Sequence, residues 1–191
     1  MDTTGHVLTM LVIGYLLGSI PFARLFTMRS GVDLFSTGTG NPGAANVFRR
    51  VDKRTGIAVF AGDSLKGAIP VAIAWAIGAP QDLWIVAGAA AVVGHLYPVF
   101  NRFRGGAGLA TGAGVVVALI PLASLVGVPF GGLVLWKFKS SGHSAAAGLV
   151  VILALAFPFG SELPAVAGSS VLAAILFAKA AARGWRPGRR V

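Results

Sequence analysis

The sequence has no cysteine and, among 191 residues, only six acidic residues and three histidines. Without cysteine there can be no disulfide, no thiolate metal site and no cysteine nucleophile. His6, His95 and His143 lie at no metal-ligand spacing, so no metal and no cofactor is expected. Charge is scarce too: Asp, Glu, Lys and Arg make up 12% of the chain, about half the roughly 25% that clothes a soluble domain. With 55% hydrophobic residues and a mean hydropathy of +0.80, a water-soluble globule is excluded. Six charge-free stretches remain, at 3–23, 67–81, 83–101, 105–136, 140–161 and 163–178, against a need of about 20 apolar residues per membrane crossing.

The net charge of +10 could suggest nucleic acid, but no soluble domain is present to display a basic surface interleaved with aromatics, so no nucleic-acid partner is expected. Topology accounts for the charge instead. Lys and Arg cluster at 24–66, 102–104, 137–139 and 179–190, while the intervening turns carry only Asp82 and Glu162. By the positive-inside rule the clusters are cytoplasmic, which requires an odd number of crossings from an external N-terminus to a cytoplasmic C-terminus. The expectation is an all-α polytopic membrane protein, one domain over 1–191, with about seven spans at 5–27, 56–78, 82–101, 106–121, 124–138, 142–158 and 164–182. Met1-Asp2-Thr3-Thr4 lacks the basic start of a signal peptide, so the first span is expected to be retained. Residues 105–136 must cross twice, which leaves about 14 to 16 residues per helix, so short or tilted helices are expected there. Glycines such as Gly88, Gly94, Gly112, Gly114 and Gly148 suit close helix packing. The basic end, 183–191, reads as a membrane-surface anchor.

The longest polar excursion, Arg29 to Thr55, contains Gly38-Thr39-Gly40-Asn41-Pro42-Gly43-Ala44-Ala45-Asn46-Val47-Phe48-Arg49. Glycine lets successive N–H groups turn toward one point, Thr39, Asn41 and Asn46 add neutral donors, and Arg49 adds a planar cationic fork. This composition suits a phosphate; a flexible cytoplasmic loop is the plainer reading. A second cluster runs from Gly94-His95 to Arg102-Phe103-Arg104-Gly105-Gly106-Ala107-Gly108 and on to Thr111. Glycines opening a helix leave N–H donors at the positive end of its dipole. Arg102 and Arg104 read either as interfacial anchors or as ligands, and His95 as either structural or catalytic. Asp63 and Lys66, at i and i+3 in a span, either satisfy each other or line a polar cavity, because ionisable groups at membrane depth are costly. Asp33 reads as a loop or capping residue. Ser19, Ser64, Ser140, Ser141 and Ser144 show no partnering base and acid, so a serine triad has little support.

Taken together, these residues resemble the bacterial acyl-phosphate:glycerol-3-phosphate acyltransferases, seven-helix inner-membrane enzymes that begin phospholipid synthesis. The resemblance lies in Gly18-Ser19-Ile20-Pro21, in Gly38 to Arg49, in Asp63-x-x-Lys66-Gly67 and in Gly94-His95 through Thr111. It implies transfer of a fatty acyl group from acyl phosphate to the 1-hydroxyl of glycerol 3-phosphate, in the cytoplasmic membrane with the site facing the cytoplasm. It further implies that Thr39, Arg49 and His95 serve the reaction, and that Gly38, Gly40, Asn41, Gly43, Asn46, Gly105, Gly106 and Gly108 hold phosphate. Ser19, Asp63, Lys66, Arg102, Arg104 and Thr111 would then border the acceptor or the cavity. Two positions depart from the family pattern: Ala107 stands where the resemblance implies a lysine for the acceptor's phosphate, and the C-terminal motif is not recognisable in 178–191. A different acceptor, a silent relative and a small-solute transporter are the competing readings. The sequence sets no oligomeric state, and a monomer is the simplest expectation.

Overall fold

A computed structural model describes residues 3–182. Among these all regular secondary structure is helical, with α1 (Thr3–Gly18), α2 (Phe22–Thr27), α3 (Ala44–Arg50), α4 (Lys53–Ala76), α5 (Gln81–Leu96), a 3-10 turn (Val99–Asn101), α6 (Leu109–Leu119), α7 (Pro121–Phe138), α8 (Ser141–Ala156) and α9 (Leu163–Ala182). Five apolar segments are long enough to cross a membrane: the α1–α2 segment, α4, the stretch Gln81–Asn101 that begins with α5, α7 and α9; α6 and α8 are shorter apolar helices. The all-α polytopic expectation is met. Large apolar side chains such as Leu125, Trp136, Val150 and Leu163 project outward from the bundle, as a lipid-facing surface requires. Arg183, Arg186, Arg189 and Arg190 of the expected surface anchor lie outside the described residues.

Three boundaries differ from expectation for identifiable reasons. The continuous span over 5–27 is broken at Ser19-Ile20-Pro21, because Pro21 has no N–H and disfavours helical backbone at Ile20. The break leaves the Ile20 carbonyl outside a regular helical ladder, and the site uses it. The span expected at 106–121 shrinks to the 11 residues of α6, about 16 Å at 1.5 Å per residue, which is half a hydrocarbon core. Gly108, with φ +86°, caps it and holds residues 105–107 out of the helix. Pro121 then starts α7 at its first turn, where the missing N–H is harmless, so α7 begins three residues earlier than the sequence pattern implied.

Small residues set the helix spacing. A Cβ on Gly18 would collide with the Ala91 carbonyl, so α1 and α5 touch backbone to backbone there. Ser144 Oγ donates to the Gly131 carbonyl at 2.7 Å and ties α8 to α7. The largest buried apolar cluster joins Val71 of α4, Val92 and Leu96 of α5, Val115 and Leu119 of α6, Ile152 of α8 and Leu176 of α9. Gly18→Leu is expected to cost about 3 kcal/mol through overpacking, whereas Gly132→Leu, on α7 with open space around it, should leave stability nearly unchanged. Thermal unfolding of both variants in micelles checks the contrast.

Candidate active site

A cavity of about 610 Å³ opens at the polar end of the bundle. Its walls come from α2, from residues 31–35, from Pro42, from Asp63 and Lys66 on α4, from His95 at the end of α5, and from residues between Pro98 and Gly106. Four cationic side chains, Arg24, Lys66, Arg102 and Arg104, face two carboxylates, Asp33 and Asp63, so the cavity favours an anion.

The floor is a buried charge cluster. Asp63, Lys66 and His95 are 2%, 4% and 6% exposed, and isolated charges could not survive there. Lys66 Nζ lies 2.8 Å from Asp63 Oδ1 and donates to the Ile20 carbonyl at 2.7 Å, so the helix break made by Pro21 supplies its second acceptor. The Phe22 ring, with its centroid 5.8 Å away, offers a further favourable face. His95 turns Nδ1 toward Asp63 Oδ1 at 3.6 Å and Nε2 toward Gly106. A methyl group at Gly106 would come within 2.6 Å of that nitrogen, so only glycine lets the backbone pass so close. Both sequence readings of Asp63 and Lys66 therefore hold at once: they pair with each other, and they line the cavity. Among the described residues no group of three ligating side chains converges on a metal position.

The arginine rim is ordered as well. Arg24 Nη1 donates to Asn101 Oδ1 at 2.8 Å, and Asn101 Nδ2 donates to the Arg104 carbonyl at 2.6 Å. The Arg104 guanidinium lies 4.1 Å from the Phe35 ring centroid. Asp33 accepts from the Phe35 N–H and from Ser36 Oγ, and these bonds hold its carboxyl below the usual carboxylate range, with the Arg104 charge adding to the effect. Arg24 and Asn101 did not stand out in the sequence, where Arg24 is the edge of a basic cluster and Asn101 one more loop amide. The available signal was a cation three residues after Pro21, in a segment otherwise apolar.

The glycine-rich loop packs beside this cavity and contributes only Pro42 to its lining. Gly38 and Gly40 take positive φ, at +64° and +66°, and Gly43 caps α3 in extended backbone. Buried Asn46 spends its amide inside the loop, donating to the carbonyls of Leu34 at 3.3 Å and Thr37 at 2.9 Å and accepting from the Thr39 N–H at 3.2 Å. It shapes the loop, and its donors are not available to a ligand as the sequence had suggested. Asn41 Oδ1 is buried with no hydrogen bond. Thr39 and Arg49 are exposed, on the loop and on α3, and do not line the cavity. Gly105 and Gly106 do line it, whereas Gly108 packs against Leu96 and Leu176. Ser19 and Thr111 are buried with unbonded hydroxyls and lie outside the cavity wall, contrary to expectation, because each is sealed between packed helices. Lys179 Nζ is buried without a hydrogen bond, 4.2 Å from the Tyr97 ring centroid.

Lys66→Met leaves the Asp63 carboxylate without its cation and is expected to cost about 3 to 5 kcal/mol. A paired Asp63→Leu, Lys66→Met variant should lose less, which unfolding measurements in micelles can show.

Comparison with known proteins completes this picture. Residues 8–185 match the family described as glycerol-3-phosphate acyltransferase. The glycerol-3-phosphate acyltransferase of Geotalea daltonii is 45% identical over 150 residues, covering 76% of this chain and 77% of its own. The crystal structure of PlsY, an integral membrane glycerol 3-phosphate acyltransferase, in its glycerol 3-phosphate form, superposes with a TM-score of 0.83 at 33% identity, covering 92% of this chain and 88% of that one. Its lysophosphatidic acid form gives 0.79 at 35% identity, with 91% and 87% covered. With an all-α membrane fold, an anion-favouring cavity and a family match across nearly its whole length, the chain belongs to the glycerol-3-phosphate acyltransferase family.

Proposed function

We propose that this protein moves a fatty acyl group from acyl phosphate to the 1-hydroxyl of glycerol 3-phosphate, giving 1-acylglycerol 3-phosphate and inorganic phosphate, the first step of phospholipid synthesis. The observation that carries this reading is the cation-rich cavity packed against the glycine-rich loop, in a chain of this family. Both substrates are anionic phosphates, one lipid-borne and one water-soluble. A polar cavity at one end of a lipid-facing bundle can receive the two from different phases.

In this reading the glycine-rich loop takes the phosphate of the donor, with Arg49 as its cation and the Thr39 hydroxyl as a donor to it. The cavity takes glycerol 3-phosphate, and His95, aligned by Asp63, gives the acceptor hydroxyl a hydrogen-bond partner. Acyl phosphate is a mixed anhydride whose carbonyl is already activated, so positioning and charge stabilisation suffice and no protein nucleophile is required. The acceptor oxygen forms the new C–O bond, the carbonyl carbon releases the phosphate oxygen with its electron pair, and the hydroxyl proton passes to that leaving phosphate. The site faces the cytoplasm of a bacterial inner membrane, as the grouping of Lys and Arg supports. Ala107 favours a second reading, in which the fold is kept and a different acceptor is used. A transporter fits less well, because the cavity opens at one end of the bundle and its arginines gather at that rim.

Arg49→Ala is expected to lower acceptor-dependent phosphate release by about 30-fold or more, the loss of a charge-assisted phosphate contact. Thr39→Val should impair turnover while Thr39→Ser retains most of it. Equal loss in both threonine variants, or full activity in Arg49→Ala, would contradict the assignment of donor phosphate to the loop.

A further inference from the structure

None of the four cations in the cavity has a role in the mechanism above, and they differ in what holds them. Arg24 sits on α2, just beyond the Pro21 break, and lines the cavity. Its Nη1 is held by Asn101 Oδ1 at 2.8 Å, and Asn101 is itself fixed by its bond to the Arg104 carbonyl and by its burial. A neutral amide aims the guanidinium without cancelling its charge. Among the described residues no carboxylate pairs with Arg24, while the cavity's lysine is committed to Asp63 and the Ile20 carbonyl. Arg104 is stacked on Phe35, with the Asp33 charge nearby, and Arg102 is exposed, in left-handed backbone at φ 52°, with no side chain among the described residues to aim its guanidinium. A guanidinium carries five N–H donors in one plane, so with one group spent on Asn101 the fork still has donors for two phosphate oxygens. Gly105 and Gly106 border the same cavity, and the next residue, Ala107, brings no charge to it.

We propose that Arg24, aimed by Asn101, is the residue that binds the phosphate group of the acceptor in this chain. The inference rests on the acyltransferase reading above for the identity of the acceptor as glycerol 3-phosphate. Asn101 is a positioning residue: it touches the guanidinium rather than the substrate. The helix break at Pro21 then does two things, since it frees the Ile20 carbonyl for Lys66 and turns Arg24 into the cavity.

The test uses the full-length protein in lipid nanodiscs, with wild type, Arg24→Met, Asn101→Leu and Arg24→Met combined with Ala107→Lys. In Arg24→Met the KM for glycerol 3-phosphate should rise about 10- to 100-fold, the loss of a charged phosphate contact, with the KM for acyl phosphate unchanged. Asn101→Leu should raise the same KM by less. A lysine introduced at Ala107, beside cavity-lining Gly106, should restore much of the loss. An unchanged KM in Arg24→Met overturns the proposal, as does a loss shared by kcat and both KM values that Ala107→Lys does not relieve, which is the mark of a structural arginine. If wild type fails to turn over glycerol 3-phosphate, the acyltransferase reading fails, and titration of wild type and Arg24→Met with glycerol 3-phosphate and with inorganic phosphate, followed by phosphorus NMR, judges Arg24 alone. Saturable binding lost in the variant supports the site, and equal binding or none in wild type overturns it.

Discussion

A carboxylate and an ammonium buried 2.8 Å apart within α4 can persist at membrane depth only if their remaining hydrogen-bonding capacity is met by neighbours. Asp63 and Lys66 meet this condition through two other segments. The Ile20 carbonyl, set outside the helical ladder by Pro21, accepts from Lys66, and His95 turns its ring toward Asp63. One ion pair thus fixes the break between α1 and α2, the end of α5 and the middle of α4 relative to one another, and these three form the floor of the cavity. Gly106 belongs to the same unit, because its missing side chain lets the segment after α5 fold back onto His95.

The cavity and the glycine-rich loop are built by different means. The cavity rests on buried charge, and its arginines are aimed by an amide and an aromatic ring. The loop rests on one buried amide, Asn46, which ties Leu34, Thr37 and Thr39 together while leaving Thr39 and Arg49 outward. A cavity lined by buried charge beside an exposed cationic loop suits the two substrates proposed, one entering from water and one from the bilayer.

Much of this was legible in the sequence. Charge-free runs and the clustering of Lys and Arg marked the apolar helices, and α4 and α9 begin and end within three residues of expectation, while α5 stops at Leu96, five residues short of the expected end. The i, i+3 spacing of Asp63 and Lys66 offered their pairing as one of two readings. The rest needed three dimensions. Pro21 was visible as part of a motif, but that its break would feed a carbonyl to a lysine 46 positions away is a long-range fact with no local trace. Asn46 looked like a ligand donor because composition cannot tell an amide that shapes a loop from one that faces a substrate. Arg24 was hidden among anchoring cations for the same reason, its partner Asn101 being 77 residues distant. Ser19 and Thr111 carried the opposite error: their small hydroxyl side chains serve tight helix packing, and both are fully buried.

The most direct test of this account is phosphate release from a long-chain acyl phosphate by the purified protein, with and without glycerol 3-phosphate, followed by mass analysis of the lipid formed. Release that depends on glycerol 3-phosphate and yields 1-acylglycerol 3-phosphate is the predicted result. Absence of that product from folded protein that binds the acyl phosphate would contradict it.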